Sequence, residues 1–369
     1  MFLICSNVPV SEISPISGRG APSNGVPQRF GLAAREVDGD WRDVEEAVDG
    51  PVGKLRTTVT IERPRTILSF NSSPDIPFGR SVNAYRGCEH GCVYCFARPT
   101  HAFHDLSPGL DFETKLFAKP DAARLLRETL AKSSYRPAPI AMGTNTDPYQ
   151  PIERDYGITR QVLEVCLEAR HPVIITTKSD RVLRDLDLLA ELARLNLVAV
   201  SISVTSLDPA LSRLLEPRAA SPGKRLEALG KLASAGVRTH VSVAPLIPSI
   251  TDEFIEAILM EAAARGVRSA SWILVRLPHE VAPLFRQWLD EHFPDRAAKV
   301  MATIRSVRGG RDNDPDFGSR MKPDGVWAEL YRKRFRLACK RHGIEHEREM
   351  VLDCSKFRRP DLTGQLSLL

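Results

Sequence analysis

The sequence contains no run of apolar residues long enough to cross a membrane as a helix. Such a helix needs about 20 predominantly apolar residues in succession, and charged side chains interrupt the 369-residue chain before that length is reached. The hydrophobic opening, Met1-Phe-Leu-Ile-Cys5, is shorter than the apolar core of a signal peptide. We therefore predict a cytoplasmic protein that has no membrane partner.

Cysteine is also scarce, with seven residues in the whole chain. An odd number of mostly distant thiols argues against the disulfide framework of small secreted proteins. Four of the cysteines are isolated in the sequence: Cys5, Cys166, Cys339 and Cys354. Because none of them forms a second closely spaced pair, a structural zinc site built from two cysteine pairs is not indicated.

The other three cysteines follow a C-x3-C-x2-C pattern in the segment 87–95, here called the cysteine loop: Cys88, Cys92 and Cys95. Gly87 and Gly91 allow the tight turn that three soft ligands need to converge on one site. With His90 as a fourth ligand, the loop fits a Cys3His zinc site. Without a fourth ligand, it fits a four-iron four-sulfur (4Fe-4S) cluster with one iron open to a substrate or cofactor. The spacing alone leaves both alternatives open.

From residue 81 the sequence alternates between short apolar runs and segments with helical spacing. Six runs are predicted as strands: 81–85, 139–144, 172–178, 197–204, 239–244 and 269–275. Helices are predicted over 121–133, 159–170, 183–195, 224–235 and 251–265. This order predicts an α/β fold with a parallel sheet and right-handed crossovers. In such folds the chemistry lies at the carboxyl ends of the strands.

With Tyr94 directly before the third cysteine, the cysteine loop resembles the cluster motif of the radical S-adenosylmethionine (radical SAM) superfamily. The resemblance implies a partial (β/α)6 TIM-type barrel, here with N- and C-terminal extensions. It implies that the three thiolates bind a 4Fe-4S cluster whose open iron binds S-adenosylmethionine. One electron from a flavodoxin or ferredoxin then cleaves this cofactor to methionine and a 5′-deoxyadenosyl radical, which abstracts a hydrogen atom.

Four further segments resemble the spore photoproduct lyase-like branch, whose members are often called DNA repair photolyases: 143–153, 177–178, 201–203 and 216–218. The resemblance implies a set of residues that bind S-adenosylmethionine: Tyr94, Thr146, Lys178, Ser201, Ser203 and Arg218. A lysine suits the carboxylate of the cofactor, and hydroxyls suit its ribose or amino group. Strand-end capping or ion pairing is the alternative role for these polar residues, and for Arg218 the alternative partner is Glu216.

The sequence departs from the lyase at one position that matters for the reaction. In the lyase, a cysteine at the end of the second strand returns a hydrogen atom to the thymine product radical. Aligning the segment 144–147 with that motif puts Thr144 at this position. Because a hydroxyl O–H bond is too strong to replace a thiol as the donor, we expect a substrate other than the spore photoproduct.

We predict three regions along the chain: a flexible N-terminal extension (1–75), the radical SAM core barrel (76–300) and a basic C-terminal cap with a terminal peptide (301–369). For the segment 14–29, the alternative to a flexible arm is a strap over the catalytic face. The cap contains fifteen Lys or Arg and ten Asp or Glu, so it carries the net charge of +5 of the whole chain. Six of its basic residues lie in the segment 331–341, which predicts contact with nucleic acid. The alternative is a solvated helix face with three residues turned inward: Phe335, Leu337 and Ala338.

The last five residues, from Gln365 to Leu369, resemble the short motif by which bacterial repair and replication proteins bind the DNA polymerase sliding clamp. As a free terminal peptide, this segment would insert its leucines into an apolar groove of the clamp. The resemblance therefore predicts the sliding clamp as a partner.

Together these features predict a radical SAM enzyme of lyase or oxidoreductase type that acts on nucleic acid, without indicating a catalytic residue. One alternative is a radical SAM enzyme that acts on a peptide or small molecule. The other is a non-enzymatic, zinc-stabilised DNA-binding adaptor that reaches the clamp through its terminal peptide. The metal content separates the adaptor from both enzymes.

Overall fold

The computed structural model describes residues 18–25, 55–346 and 351–362. The described strands are β1 (Thr58–Ile61), β2 (Leu68–Phe70), β3 (Arg80–Val82), β4 (Tyr85–Arg86), β5 (Lys115–Ala118), β6 (Ile140–Met142), β7 (Val173–Thr177), β8 (Val198–Ser203), β9 (Arg238–Leu246), β10 (Ser269–Leu274) and β11 (Glu345–His346). The described α-helices are α1 (Asp111–Thr114), α2 (Ala122–Ala131), α3 (Glu153–Tyr156), α4 (Ile158–Glu168), α5 (Leu186–Arg194), α6 (Pro209–Leu215), α7 (Pro222–Ser234), α8 (Ile255–Ala264), α9 (Val281–His292), α10 (Pro294–Ser306) and α11 (Val326–His342).

Eight strands form the main sheet, in the order β11-β10-β9-β8-β7-β6-β3-β2. Neighbouring strands from β3 to β11 are parallel, and β2 pairs with β3 in the antiparallel direction. Helices connect the successive parallel strands from β3 to β10. This arrangement confirms the predicted α/β fold of a partial (β/α)6 barrel, and it puts the strand ends that carry the chemistry along one edge.

The main sheet has one apolar face and one polar face because its central strands alternate in sequence. On β8, Val198, Val200 and Ile202 are buried in a hydrophobic core shared with the helices. Ser201 and Ser203 alternate with them and therefore lie on the opposite, inner face. The parallel register puts Thr176, His240 and Ser242 beside these two serines. Ser269 and Ser271 lie one strand further on, beside His240 and Ser242.

The predicted first strand, 81–85, is divided between two sheets. β3 ends at Val82, whereas Tyr85 lies in β4 and pairs with β5 in a small sheet of order β1-β5-β4. Asn83 lies between the two strands, and its side-chain oxygen accepts a hydrogen bond from the N–H of Asn145 at 3.1 Å. This contact ties the segment after β3 to the segment after β6.

Residues before position 76 contribute to both sheets. β2 lies at the edge of the main sheet beside β3, and β1 pairs with β5 in the small sheet. Residues 18–25 contact the cysteine loop, as described below. The predicted boundaries at residues 75 and 300, and the flexibility of the N-terminal extension, stay predictions.

The basic segment predicted over 331–341 lies in α11, which packs by one face on the outer side of the sheet. Phe335 and Ala338 are buried, as predicted. The alternative of a solvated helix face also turns Leu337 inward, but this side chain is 54% exposed, because residues two positions apart on a helix do not share a face. The prediction for Leu337 is therefore wrong, and most of the basic side chains face solvent.

Residues 351–362, here called the tail, run along the amino ends of the strands. The N–H of Asp353 donates to the carbonyl of Asn196 at 3.0 Å, and the N–H of Arg358 donates to the carbonyl of Ala169 at 2.8 Å. These two carbonyls lie just before β8 and β7. The tail therefore closes the end of the sheet opposite to the cysteine loop.

Two predictions concern the membrane and the clamp. Within the described parts of the chain, no helix has the length and apolar character needed to cross a bilayer. The predicted clamp-binding peptide, Gln365 to Leu369, lies outside the described residues.

The buried contact of α11 gives a test of the fold. Phe335 is fully buried beside Trp272 and His346, so we expect Phe335→Ala to lower the free energy of unfolding by about 3–5 kcal/mol. Leu337→Ala is the matched control on the same helix, with an expected change of about 0.5 kcal/mol or less. Urea unfolding measures both variants, and equal shifts would contradict the described packing of α11.

Candidate metal and cofactor site

The cysteine loop follows β4 at the carboxyl ends of the parallel strands. Its first residue, Gly87, has a φ of +73°, a conformation that favours glycine. The next residue is held by Phe112, whose carbonyl accepts from the Cys88 N–H at 2.9 Å. The loop puts the three predicted metal ligands at buried or half-buried positions: Cys88, Cys92 and Cys95.

Arg98, which follows the loop, is completely buried and uses all five of its N–H donors. Four of them donate to backbone carbonyls in or beside the loop: those of Gly91, Cys92, Pro108 and Gly109. The fifth donates to a carboxylate oxygen of Glu113 at 2.5 Å, and Glu113 is also completely buried. Since removing one partner of such a pair costs about 3–5 kcal/mol, the pair strongly fixes the shape of the loop.

Residues 18–25, here called the strap, lie against the cysteine loop. The N–H groups of Gly20 and Ala21 donate to the two carboxylate oxygens of Glu113, at 3.0 and 2.8 Å. A Cβ atom on Gly20 would lie 1.6 Å from the carbonyl oxygen of Gly91. The strap therefore approaches the loop more closely than any side chain larger than hydrogen would allow.

Thr146 and Gln150, from the segment after β6, hold the start of the loop. Both side chains donate to the carbonyl of Gly87, at 2.6 and 3.2 Å. The amide oxygen of Gln150 also accepts from the N–H of Glu89 at 2.9 Å. The hydroxyl proton of Thr146 is thus used to position the loop, and the contact of Thr146 with S-adenosylmethionine stays a prediction.

A buried carboxylate, Glu216, lies on another side of the loop. It accepts hydrogen bonds from the hydroxyl of Tyr94, the guanidinium of Arg225 and the hydroxyl of Thr205, the last at 2.8 Å. Burial opposes ionisation, yet Arg225 and Lys178 hold the pKa of Glu216 below its usual value. The carboxylate therefore stays charged and fixes the ring of Tyr94.

Arg218 forms its ion pair with Glu89 of the loop, at 2.9 Å. The hydroxyl of Thr57 donates to the same carboxylate oxygen at 2.6 Å. The predicted alternative, in which Arg218 pairs with Glu216, is therefore wrong, because Arg225 occupies that carboxylate.

Lys178 links the loop to the end of β7. The ammonium nitrogen of Lys178 lies 5.9 Å from the centre of the Tyr94 ring. The backbone N–H of Lys178 donates to a carboxylate oxygen of Asp147 at 2.7 Å. Asp147 also pairs with His90 of the loop at 3.3 Å. Burial tends to raise the pKa of Asp147, but the contact with His90 lowers this pKa to about 2. His90, the candidate fourth zinc ligand, is thus engaged by a carboxylate.

The six predicted cofactor-binding residues divide into two groups. The first group is at the cysteine loop: Tyr94 belongs to the loop, and Thr146, Lys178 and Arg218 contact it. Ser201 and Ser203 lie on the inner face of β8 and are 5% and 4% exposed. The binding of S-adenosylmethionine by each of these residues stays a prediction.

The three thiols lie in surroundings that disfavour the bare thiolate. Burial raises the pKa of Cys88, Cys92 and Cys95, and for Cys88 the charge of Asp147 and the two neighbouring thiols add to it. A bound cation favours deprotonation of such thiols. Across residues 18–25, 55–346 and 351–362, no three Cys, His, Asp or Glu side chains converge as the ligands of a single metal ion do. The thiolates of a four-iron cluster bind different irons and need no such convergence.

The family model of the radical SAM superfamily matches residues 82–262. An uncharacterized protein of Mycobacterium tuberculosis is 37% identical over 232 residues, which are 62% of this chain and 68% of that protein. The chain belongs to the radical SAM superfamily. An uncharacterized protein of Methanocaldococcus jannaschii is 27% identical over 215 residues, which are 58% of this chain and 76% of that protein.

Solved structures of spore photoproduct lyase share the fold of this radical SAM protein. The lyase complexed with dinucleoside spore photoproduct is 17% identical, with a TM-score of 0.56 over 78% of this chain and 81% of that chain. A mutant of the lyase with bound AdoMet and the same dinucleoside gives a TM-score of 0.56. At this level of identity the likeness establishes the fold.

Radical SAM proteins use a 4Fe-4S cluster together with S-adenosylmethionine, and these are the cofactors of this protein. The donor set fits them, since three soft thiols and no fourth cysteine lie in the loop. The segments that surround the loop carry the charged and hydroxyl groups that a polar cofactor needs.

Sequence reasoning missed Arg98, Glu113 and the contact of Gly20 with the cysteine loop. Charged residues are buried only when they are paired, and the pairing of Arg98 with Glu113 depends on how the chain folds between them. The one available signal was Gly18-Arg-Gly20, since closely spaced glycines indicate a close approach of the backbone to another segment.

The contact between the strap and the loop gives a test of the site. We expect Gly20→Ala to displace the strap, because the added methyl group would overlap the carbonyl of Gly91. Glu113 would then lose two backbone donors, each worth about 1–3 kcal/mol. After anaerobic reconstitution, this variant should lose its iron several-fold faster than wild type when exposed to air and a chelator.

Gly25→Ala is the matched control within the strap, because a Cβ on Gly25 meets no atom within 4 Å. Its rate of iron loss should equal that of wild type. Equal rates for both variants would contradict the protective role of the strap.

Proposed function

We propose that this protein is an enzyme that reductively cleaves S-adenosylmethionine and abstracts a hydrogen atom from a nucleic-acid substrate. The observation that carries the proposal is the cysteine loop at the carboxyl ends of the parallel strands, with a lysine and a polar inner sheet face beside it. Cys88, Cys92 and Cys95 would hold the cluster. When bound, the cluster supplies the electron that splits the cofactor into methionine and a 5′-deoxyadenosyl radical.

The other residues of the site would bind and orient S-adenosylmethionine and shield the cysteine loop. Lys178 would pair with the carboxylate of S-adenosylmethionine, and the hydroxyls of Ser201 and Ser203 would bond to its polar groups. Glu216 would keep the ring of Tyr94 in place. The strap would limit the access of water and oxygen to the cysteine loop.

Two observations support nucleic acid as the substrate class. Spore photoproduct lyase, which shares this fold, has been solved with a dinucleoside spore photoproduct. In addition, α11 exposes four basic side chains that suit a phosphate backbone: Lys333, Arg336, Lys340 and Arg341. Both a lyase and an oxidoreductase reaction on nucleic acid begin with the proposed hydrogen abstraction.

The first test of the proposal is the formation of 5′-deoxyadenosine. We expect anaerobically reconstituted protein with dithionite and S-adenosylmethionine to form this product, because one-electron cleavage of the cofactor proceeds slowly without substrate. The matched variant, in which Cys88, Cys92 and Cys95 are all alanine, should form none. Chromatography of the nucleoside and analysis of bound iron, sulfide and zinc measure both.

The metal analysis decides between this proposal and its alternatives. Stoichiometric zinc with no 5′-deoxyadenosine would contradict the enzyme and favour the DNA-binding adaptor. Cluster-dependent product without any salt-dependent binding of nucleic acid would favour a peptide or small molecule as the substrate.

We also expect that the spore photoproduct is not the substrate. The sequence alignment predicts that Thr144 takes the position of the hydrogen-donating cysteine of the lyase, and the hydroxyl of Thr144 lies 3.3 Å from the side-chain oxygen of Asn83. A protein that forms 5′-deoxyadenosine should therefore fail to convert the dinucleoside spore photoproduct to thymidines at an enzyme-like rate, as followed by liquid chromatography. Repair at such a rate would contradict the assignment based on Thr144.

Three partner and location assignments accompany the proposed function. Flavodoxin or ferredoxin would supply the electron, and the cytoplasm, where thiols stay reduced, would be the compartment. Docking of Gln365 to Leu369 on the DNA polymerase sliding clamp remains a sequence-based prediction.

A further inference from the structure

Two arginines lie at the carboxyl end of β10, on the same edge as the cysteine loop. Arg276 follows β10, and its guanidinium carbon is 5.7 Å from the centre of the Phe96 ring. Phe96 directly follows Cys95, the last predicted cluster ligand. A ligand that contacts both Arg276 and Phe96 would therefore adjoin the cysteine loop.

Arg308 is the second arginine, and backbone carbonyls hold its side chain in place. It is 5% exposed, and its guanidinium donates to the carbonyls of Val275 and Arg320, at 2.8 and 3.1 Å. The Nε atoms of both Arg308 and Arg276 are buried and make no hydrogen bond within the described residues. Buried polar groups are normally paired, so each of the two arginines leaves one donor unused.

The charges of the two arginines are not balanced by nearby acids. The two acids that act on them are paired with other arginines: Asp75 with Arg320 at 2.6 Å, and Asp314 with Arg311 at 3.6 Å. Burial, together with Arg320, lowers the pKa of Arg276. Burial, together with Arg276, lowers the pKa of Arg308 to about 10. An anion bound here would offset the mutual repulsion of these cations.

Phe96 gives this anion site an aromatic neighbour. Its side chain is 51% exposed although it is large and apolar. Exposed aromatic rings beside basic side chains are the platforms on which single-stranded nucleic acids stack their bases. Cations that suit a phosphate and a ring that suits a base therefore lie side by side.

We propose that Arg276, Arg308 and Phe96 form a nucleotide subsite for single-stranded nucleic acid, in which the arginines pair with one phosphate and Phe96 stacks with the adjoining base. The inference rests on the proposed function, because it identifies how a nucleic-acid substrate reaches the cysteine loop. The stacked base lies beside Cys95. The strand is held through an unpaired nucleotide, since a base within a duplex has no free face.

The test uses the reconstituted, full-length protein and a short fluorescein-labelled single-stranded DNA, with binding measured by anisotropy. Arg276→Gln should weaken binding about 10-fold and reduce the slope of log affinity against log salt by about 0.7, the value for one phosphate contact on a single strand. Phe96→Leu should weaken binding about 10-fold through lost stacking. Arg308 is left unchanged, because its guanidinium also holds the backbone of Val275 and Arg320.

Two exposed residues away from the loop provide matched controls. Phe70 is 73% exposed and also lies beside an arginine, with the Arg80 guanidinium carbon 5.6 Å from its ring centre, so Phe70→Leu should bind as wild type. Arg194→Gln, at an exposed side chain that ends α5, should do the same. Unchanged iron content and an unchanged urea midpoint show that each variant is folded.

A second probe isolates the base from the phosphate. An oligomer of the same length whose nucleotides lack bases should bind more weakly than the normal strand, and Phe96→Leu should not weaken it further. If inorganic phosphate at matched ionic strength displaces the normal strand and the baseless oligomer binds equally well, the site recognises phosphate alone and the inference is overturned.

The remaining outcomes separate this inference from the proposed function. If Arg276→Gln and Phe96→Leu bind as wild type while Arg336→Gln on α11 binds more weakly, the subsite is wrong and nucleic acid binds elsewhere. If wild type binds no oligonucleotide, both the subsite and the nucleic-acid substrate are wrong. Formation of 5′-deoxyadenosine still tests the reaction class on its own.

Discussion

The buried ion pair between Arg98 and Glu113 is the constraint on which the site depends. The arginine binds four carbonyls in and beside the cysteine loop, and the carboxylate binds two N–H groups of the strap. This one ion pair therefore fixes three segments: the strap, the cysteine loop and the segment at Pro108 and Gly109 that follows the loop. A buried charge pair is a poor source of net stability, but it is directional, so it specifies one loop shape where apolar packing would permit several.

The charged groups around the loop form a consistent pattern. Two carboxylates near the loop have partners of their own: Glu216 pairs with Arg225, and Asp147 pairs with His90. Arg276 and Arg308 each keep a buried Nε–H without a hydrogen-bond partner in the described residues, and Lys178 lies beside the Tyr94 ring. Thiolates, a carboxylate-bearing cofactor and a phosphodiester are all anionic where they meet the protein. The positive charge at the carboxyl edge of the sheet suits all three, and the low dielectric of the buried loop strengthens each interaction.

The sequence was sufficient for the parallel sheet and the cysteine loop, because both depend on local signals. Alternating apolar runs indicated the parallel strands, and the spacing of three cysteines indicated the metal ligands. The ion pairs of Arg98 with Glu113 and of Arg225 with Glu216 were not predictable. Glu113 lies 15 residues after Arg98, and Glu216 lies in the turn after α6, so each pair depends on how the chain folds between its two members. Leu337 was assigned inward from hydrophobicity alone, whereas its position around the helix axis decided its exposure.

The tail has a consequence for how the protein is made. Its side-chain contacts join residues 161 and 226 positions apart, Lys356 with Leu195 and Arg359 with Ser133. Contacts of such separation form late, because closing a long loop costs entropy before any contact offsets it. During synthesis, every strand of the sheet leaves the ribosome before the tail does. The amino end of the nascent barrel therefore stays open to water and chaperones until translation of the tail is complete.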